Sequence, residues 1–321
     1  MFSYRHAFHA GNHADVLKHT TLIATLRHLM HKDSALMLVD THAGAGLYRL
    51  DSEFSDTSGE ARDGIFKLAA PHLALAQESS SKKPLSSADK SPVAIKSEAT
   101  ALDDYLDLIA GFNPDGRLKV YPGSPFVMQR LMRSEARDRL KLFEMHPTDS
   151  KVLAANIAQL RAGRQIAVAR QDGFEGLRAL LPPPSRRALV LIDPSYELKS
   201  DYARVSECIQ DSLKRFATGT YLVWYPIIPR PEAHDLPRRL KTLCTQAGRS
   251  WLHATLSIGA AESPAPVSVP GEPRRQGLRA SGMWVINPPH TLQATLKAVL
   301  PSMVESLGRG PGQGWTLDSA G

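Results

Sequence analysis

The spacing of apolar positions changes repeatedly along the chain, and those changes divide it into elements. Residues 12–31, NHADVLKHTTLIATLRHLMH, carry apolar side chains at 16, 17, 22, 23, 26, 29 and 30. That spacing predicts a helix, with Asn12 as its cap. ALMLVD (35–40) is a near-continuous apolar run, as in a buried strand, and THAGAG follows it at once. Residues 101–112 return to helical spacing with Gly111 as a stop. Residues 117–133 read as a short extended piece, a turn, and a helix starting near Ser124. The rest alternates. Strands are expected at 139–144, 165–172, 188–193 and 219–228, and helices at 149–160, 174–181, 201–216 and 232–248, the last interrupted near Pro237. Two further strand-like pieces, 251–259 and 282–289, flank a Pro-rich, basic stretch at 262–280. Alternation with continuously apolar strands predicts an α/β fold: a mainly parallel sheet covered on both faces, with an antiparallel edge.

Two segments break the pattern. Residues 76–100 are rich in Ser, Lys and Pro without periodicity, and read as a mobile surface loop. The end of the chain, GRGPGQGWTLDSAG (308–321), reads as a flexible tail.

Composition narrows the class. The chain has 321 residues, 42% of them apolar, enough for one large core or two small ones. A net charge of +7 favours an anionic partner such as nucleic acid, though a small anion would serve as well. Cys208 and Cys244 are the only cysteines and neither lies in a C-x-x-C, which argues against a disulfide framework or zinc ribbon. The polar, His-rich start has no apolar signal region, and no apolar run approaches the length of a membrane span. A reducing, cytoplasmic setting is the expectation.

Candidate chemistry gathers at the strand ends, where open α/β sheets bind ligands. The first strand ends in Asp40 and runs into Gly44 and Gly46. The next three end in Glu144, in Asp172-Gly173 and in Asp193-Pro194-Ser195-Tyr196. The Gly turn lets backbone approach a ligand, but Arg49 stands where a dinucleotide fingerprint needs a third Gly. Glu144 suits a ribose diol, Asp172 an adenine amino group, and Asp40 an ammonium. Together they describe S-adenosylmethionine. Singly, each acid reads equally as a helix cap or turn residue.

The stretch LVLIDPSYEL (189–198) places a carboxylate, a rigid Pro and an aromatic ring together. Asp193 and the Pro194 carbonyl could accept both hydrogens of a planar exocyclic amine and free its lone pair for methyl transfer. Tyr196 could stack an extruded base, worth about 1–3 kcal/mol. An ordinary β-turn is the alternative reading. INPPH (286–290) is a rival by its letters, but the order of elements assigns Asn287 to the last strand, as structure.

These residues resemble a known family. The sequence is similar over nearly its whole length to the bacterial ribosomal RNA large subunit methyltransferase J family, which methylates N6 of an adenine in 23S rRNA. The marks are SYRHAFHAGNHADVLKHT, DTHAGAG, YPGSP, HPTD after Glu144, DGF, IDPSYE, RFATGTY and INPP. The resemblance implies a class I S-adenosylmethionine-dependent methyltransferase fold over 1–50 and 118–307, with a small helical subdomain inserted at 51–117. It implies cofactor contacts at His19, His42, Ser124, Glu144, Asp172, Gly173 and Asp193. It places Asp193 at the methyl-transfer centre, and assigns substrate RNA engagement or catalysis to Tyr4, His6 and Lys18. Ser195 departs from the usual Asp-Pro-Pro-Tyr, which leaves the acceptors and the ring in place but loosens the turn. No metal is expected: His6, His9 and His13 have no Cys or carboxylate at ligand spacing, and read instead as phosphate contacts or as part of a closing segment. The rivals are a DNA adenine methyltransferase and a catalytically inactive RNA-binding assembly protein. No obligate protein partner is evident, so a monomer is expected.

Overall fold

The computed structural model describes residues 6, 9–51, 60–69, 72, 100–260 and 277–321. Tyr4, most of the 76–100 loop and most of the stretch at 262–280 lie outside the described residues.

The strands are β1 (Met37–Asp40), β2 (Leu47–Arg49), β3 (Val120–Pro122), β4 (Arg139–Phe143), β5 (Ile166–Ala169), β6 (Ala188–Ile192), β7 (Thr220–Pro226), β8 (Trp251–Ile258), β9 (Ala280–Ile286) and β10 (Gln313–Ala320). The helices are α1 (His13–Leu29), α2 (Ala101–Gly111), α3 (Ser124–Leu131), α4 (Pro147–Gln159), α5 (Gly173–Leu180), α6 (Ser200–Arg215), α7 (Pro231–Ala247) and α8 (Leu292–Leu307). Eight strands form one sheet in the order β10-β8-β9-β7-β6-β1-β4-β5, and β2 pairs with β3 in a separate ribbon. The run from β5 to β7 is parallel, while β9 and β10 pair antiparallel with their neighbours.

The continuously apolar strands are explained by burial on both faces. In β6, Leu189 and Leu191 point into one core, and Ala188, Val190 and Ile192 into the other. The first core is shared with α1, α2, α3 and α8, the second with α5, α6 and α7. Of the 51–117 segment, Ile65, Leu68, Tyr105 and Ile109 join the first core.

Helix α1 crosses this core and is buried on nearly every side, polar residues included. Asn12 caps it through its side-chain oxygen, which accepts from the N–H groups of Ala14 and Asp15. The hydroxyls of Thr21 and Thr25 donate to the carbonyls one turn back, satisfying groups that water cannot reach.

Two expectations need correction, and one element was not expected. The tail at 308–321 is an ordered edge: β10 pairs with all of β8, and Trp315 and Leu317 pack on the core. Its only strand signal is those two alternating residues behind a Gly-rich approach, too little to outweigh the polar remainder. Helix α7 runs through Pro237 without interruption, held by its apolar stripe Ala233, Leu236, Leu240 and Cys244. The sequence reading also passed over α8 entirely.

Deleting 313–321 should therefore lower the melting temperature by several degrees, on a scale of about 2–4 °C per kcal/mol. It strips β8 of a partner along its whole length. An unchanged melt would return the segment to the status of a tail.

Candidate active site

The strand order reverses between β1 and β6, and a cavity of about 400 Å³ opens over the carboxyl ends of the strands at that point. The size lies in the range of cofactor sites, about 300–1,000 Å³. Its wall includes His19 from α1, His42 and Gly44 after β1, Ser124 at the start of α3, Glu144 after β4, Asp172 and Gly173 before α5, and Asp193 after β6. Eight of the nine expected cofactor residues thus meet in one place. Gly46 does not. Its φ of +79° serves the turn, and a Cβ there would strike Leu153 and Phe126 behind the wall. Gly44 holds the left-handed conformation the turn requires, at φ +58°.

Glu144 is fixed by backbone donors. The Gly44 N–H donates to Oε2 at 2.7 Å and the His146 N–H to Oε1 at 2.6 Å. Burial pushes its carboxyl up, against the pull of those two N–H groups. Each oxygen keeps a lone pair toward the cavity, which suits a diol. Asp172 is committed further: Oδ1 accepts from Phe174 N–H as a helix cap, and Oδ2 pairs with Arg204 at 2.5 Å. Burial works to raise it, but the Arg204 bond and the capping N–H groups hold it below the usual carboxylate range. Gly173 admits no side chain, because a Cβ would meet the Thr41 carbonyl at 1.8 Å.

Asp40 is fully buried behind this wall. Burial lifts its carboxyl to about 6, against Ser124 and the His42 N–H. Its Oδ2 has no hydrogen-bond partner among the described residues, and neither has His19 Nε2. Burial also keeps His19 and His42 neutral, lowered to about 3 and about 4.

Asp193 stands between this cavity and a second one of about 360 Å³, lined by His6, Asp15, Lys18, Tyr196, Trp224 and Arg230 among others. The Lys18 ammonium bridges Asp15 Oδ1 at 2.8 Å and Asp193 Oδ2 at 2.6 Å. Burial alone would lower the ammonium, but the two carboxylates outweigh it and raise it. Asp15 also accepts from the Gly11 N–H and meets His6 Nε2 at 3.1 Å. The sequence reading missed Asp15, because an acid in the first turn of a helix reads as a favourable dipole partner. Its spacing of three from Lys18 was the available signal.

Tyr196 lines the second cavity but does not present an exposed ring. Its ring is buried, only 2% exposed, against Tyr202 and Trp224, and its hydroxyl donates to the Trp224 carbonyl. An apolar sheet face beside the turn outcompetes solvent for the ring. Asn287 is structural. Its amide donates to the Ala217 and Gly219 carbonyls. It follows antiparallel β9, so it sits beside the amino end of β7, at the opposite end of the strands from Asp193. Among the described residues, no three His, Cys, Asp or Glu side chains group to hold a metal. Among the described residues, no helix is long and apolar enough to cross a membrane.

The donors fit S-adenosylmethionine. His19, which lines the cavity, carries an unpartnered Nε2 that suits a carboxylate, and Glu144, held by two backbone N–H groups, suits a diol. This fold and cavity define a class I S-adenosylmethionine-dependent methyltransferase. Comparison with known proteins gives the family. The model of the family described as ribosomal RNA large subunit methyltransferase D, RlmJ, matches residues 33–78 and 93–319. Ribosomal RNA large subunit methyltransferase J of Escherichia coli (strain K12) is 39% identical over 301 residues, 94% of this chain and 92% of that protein. Its namesake in Haemophilus influenzae is 36% identical over 99% of this chain and 98% of that protein. A crystal structure of a Legionella pneumophila protein superposes with TM-score 0.74 at 31% identity, covering 97% of this chain and 98% of that one. The chain belongs to the ribosomal RNA large subunit methyltransferase J family.

Two measurements check the site. Glu144→Ala should weaken S-adenosylmethionine binding by about ten- to a hundredfold in calorimetry, since a bond to a charged acceptor contributes about 1.5–3 kcal/mol. Unchanged affinity would remove Glu144 from it. Asp40 should also tilt stability with pH. Its folded carboxyl holds a proton that the unfolded one loses near 3.8, so stability falls as pH rises from about 4 to about 6 and is level above that. The loss is up to about 3 kcal/mol. Asp40→Asn lacks this term, so its melting temperature relative to the parent should climb across that window. A constant difference would contradict it.

Proposed function

We propose that this chain transfers a methyl group from S-adenosylmethionine to N6 of an adenine in 23S rRNA. The observation that carries the reading is Asp193, a carboxylate shared by the walls of both cavities and pinned by Lys18. The first cavity takes the cofactor, which when bound supplies an electrophilic methyl on a sulfonium. The second is of a size to take an extruded base.

The division of labour follows from the bonds already made. Lys18 occupies Asp193 Oδ2, which leaves Oδ1 and the Pro194 carbonyl for the two amine hydrogens. Accepting both rehybridises the nitrogen and aims its lone pair at the first cavity. Asp15 keeps Lys18 in place, and Lys18 keeps Asp193 from turning away. Trp224, whose ring centroid lies 5.7 Å from the Lys18 ammonium, lines the second cavity and offers the aromatic face expected of Tyr196.

The basic excess supports a polyanionic substrate. His6 and Lys18 line both cavities, and this supports the amino-terminal block, Tyr4 with them, as the part that engages RNA. The same reading takes 51–117 as an inserted helical subdomain and the cytoplasm as the setting.

The test is mass mapping of methyladenine in 23S rRNA with and without the protein, followed by single-turnover methylation by variants. Asp193→Ala should reduce transfer by orders of magnitude in a folded protein. Asn287→Ala should keep transfer and lower the melting temperature, because it strands the Ala217 and Gly219 carbonyls. Loss of transfer in folded Asn287→Ala but not in Asp193→Ala would move the site to the other Asn-Pro-Pro. Methylation of DNA alone would favour a DNA enzyme, and cofactor binding without turnover an inactive assembly protein.

A further inference from the structure

Behind the cofactor cavity runs a chain of three buried polar side chains that the transfer chemistry does not use. His19 Nδ1 lies 2.8 Å from the Tyr121 hydroxyl, and that hydroxyl lies 3.2 Å from the Tyr105 hydroxyl. The three residues come from α1, β3 and α2, so the chain ties the cavity wall to the helix of the inserted segment. All three are at most 1% exposed. The imidazole of His19 stacks on the Tyr121 ring, with centroids 5.6 Å apart.

Two directions of donation are open, and donor bookkeeping separates them. If His19 Nδ1–H donated to Tyr121, the Tyr121 hydroxyl would donate to Tyr105. The Tyr105 O–H would then be left in an apolar core with no acceptor among the described residues. A buried, unmet donor costs about 1–3 kcal/mol. If instead Tyr105 donates to Tyr121 and Tyr121 donates to His19 Nδ1, both hydroxyls are satisfied. The imidazole proton then resides on Nε2. That atom has no partner among the described residues, and its ring lines the cavity. The one unmet donor of the three side chains then lies on the residue that lines the cavity and not in the apolar core.

We infer that Tyr105 and Tyr121 are positioning residues that lock His19 in its Nε2–H tautomer, presenting a neutral donor to an anionic group of the bound cofactor. The class of group is a carboxylate or another oxygen acceptor, and an ammonium is excluded from that spot because it has no lone pair to offer. The inference rests on the reading of this cavity as the S-adenosylmethionine site. Because burial keeps His19 neutral, the selection is between tautomers and persists across the physiological range.

The test reads the tautomer directly. Nitrogen NMR of histidine-labelled protein without cofactor, with His19→Gln to assign the signals, should show His19 Nδ1 unprotonated and Nε2 protonated. In Tyr121→Phe, Nδ1 loses its donor and the signals should shift toward a tautomer mixture. Tyr105→Phe should show a smaller shift in the same sense. Calorimetry with S-adenosylhomocysteine should give about a three- to tenfold loss of affinity in Tyr121→Phe, the scale of one neutral hydrogen bond. An Nδ1–H tautomer in the parent protein overturns the inference, and so does an unchanged tautomer in Tyr121→Phe. The parent spectrum decides even if a variant fails to fold. If the parent protein binds no S-adenosylhomocysteine while the tautomer is as stated, the cofactor reading fails and the tautomer lock stands.

Discussion

The ammonium of Lys18 lies almost out of reach of water, and a charge so placed is stable only while its partners hold still. One partner, Asp15, is on the same helix and the other, Asp193, on the far loop of β6. The bridge therefore works only if α1 keeps one rotation and one height against the sheet. Much of the fold around it enforces that. Asn12 fixes where α1 begins, Gly11 donates to Asp15 from the preceding turn, and Thr21 and Thr25 turn their hydroxyls inward on the helix itself. Removing one carboxylate would leave the ammonium short of a counter-charge, which for buried pairs costs about 3–5 kcal/mol. The same rigidity orients the reacting groups. Asp193 enters the chemistry with one oxygen committed and one directed, so little reorganisation remains for the moment of transfer.

How much of this was legible in the sequence depended on whether a residue's role is local. Asn12, the parallel strands and the strand-end acids Glu144 and Asp193 were legible, because caps, apolar runs and the carboxyl ends of strands are set by short stretches of chain. Asp15 was not, because its meaning comes through Lys18, whose other partner, Asp193, lies 175 residues further along the chain. Trp224 was hidden for a related reason: in the run YLVWYP an aromatic residue is indistinguishable from core until the neighbouring cavity is known. Strand β10 was lost to composition, since an edge strand buried on one side needs few apolar residues.

The placement of Tyr196 shows where motif reasoning stops. The letters Asp-Pro-Ser-Tyr place Asp193 and Pro194 at the cavity wall, because a carboxylate at a strand end has few places to go. They do not fix the ring, because a tyrosine next to a sheet face can turn toward water or toward the core, and this one is buried. Here its hydroxyl reaches a strand carbonyl, its own carbonyl accepts from Arg230, and its backbone takes a φ of +53° to allow both. A non-glycine residue in that region carries strain that the two bonds offset.

The unmet hydrogen bonds separate ligand sites from ordinary packing. Several buried polar atoms lack partners among the described residues, including Thr20 Oγ1, Ser281 Oγ and Trp284 Nε1, so an unmet atom alone marks nothing. His19 Nε2, Asp40 Oδ2 and Trp224 Nε1 differ from these by location. His19 and Trp224 line the two cavities, and Asp40 ends the strand that leads into the glycine turn of the first. Their chemistry also differs in the sense a methyl-transfer site needs. An imidazole nitrogen on a cavity-lining residue suits the carboxylate of an amino-acid cofactor, and the indole of Trp224 lines the second cavity. Filling those bonds from within the chain would raise stability and remove the reason for a ligand to bind. The fold leaves them open at the one place where a ligand can complete them.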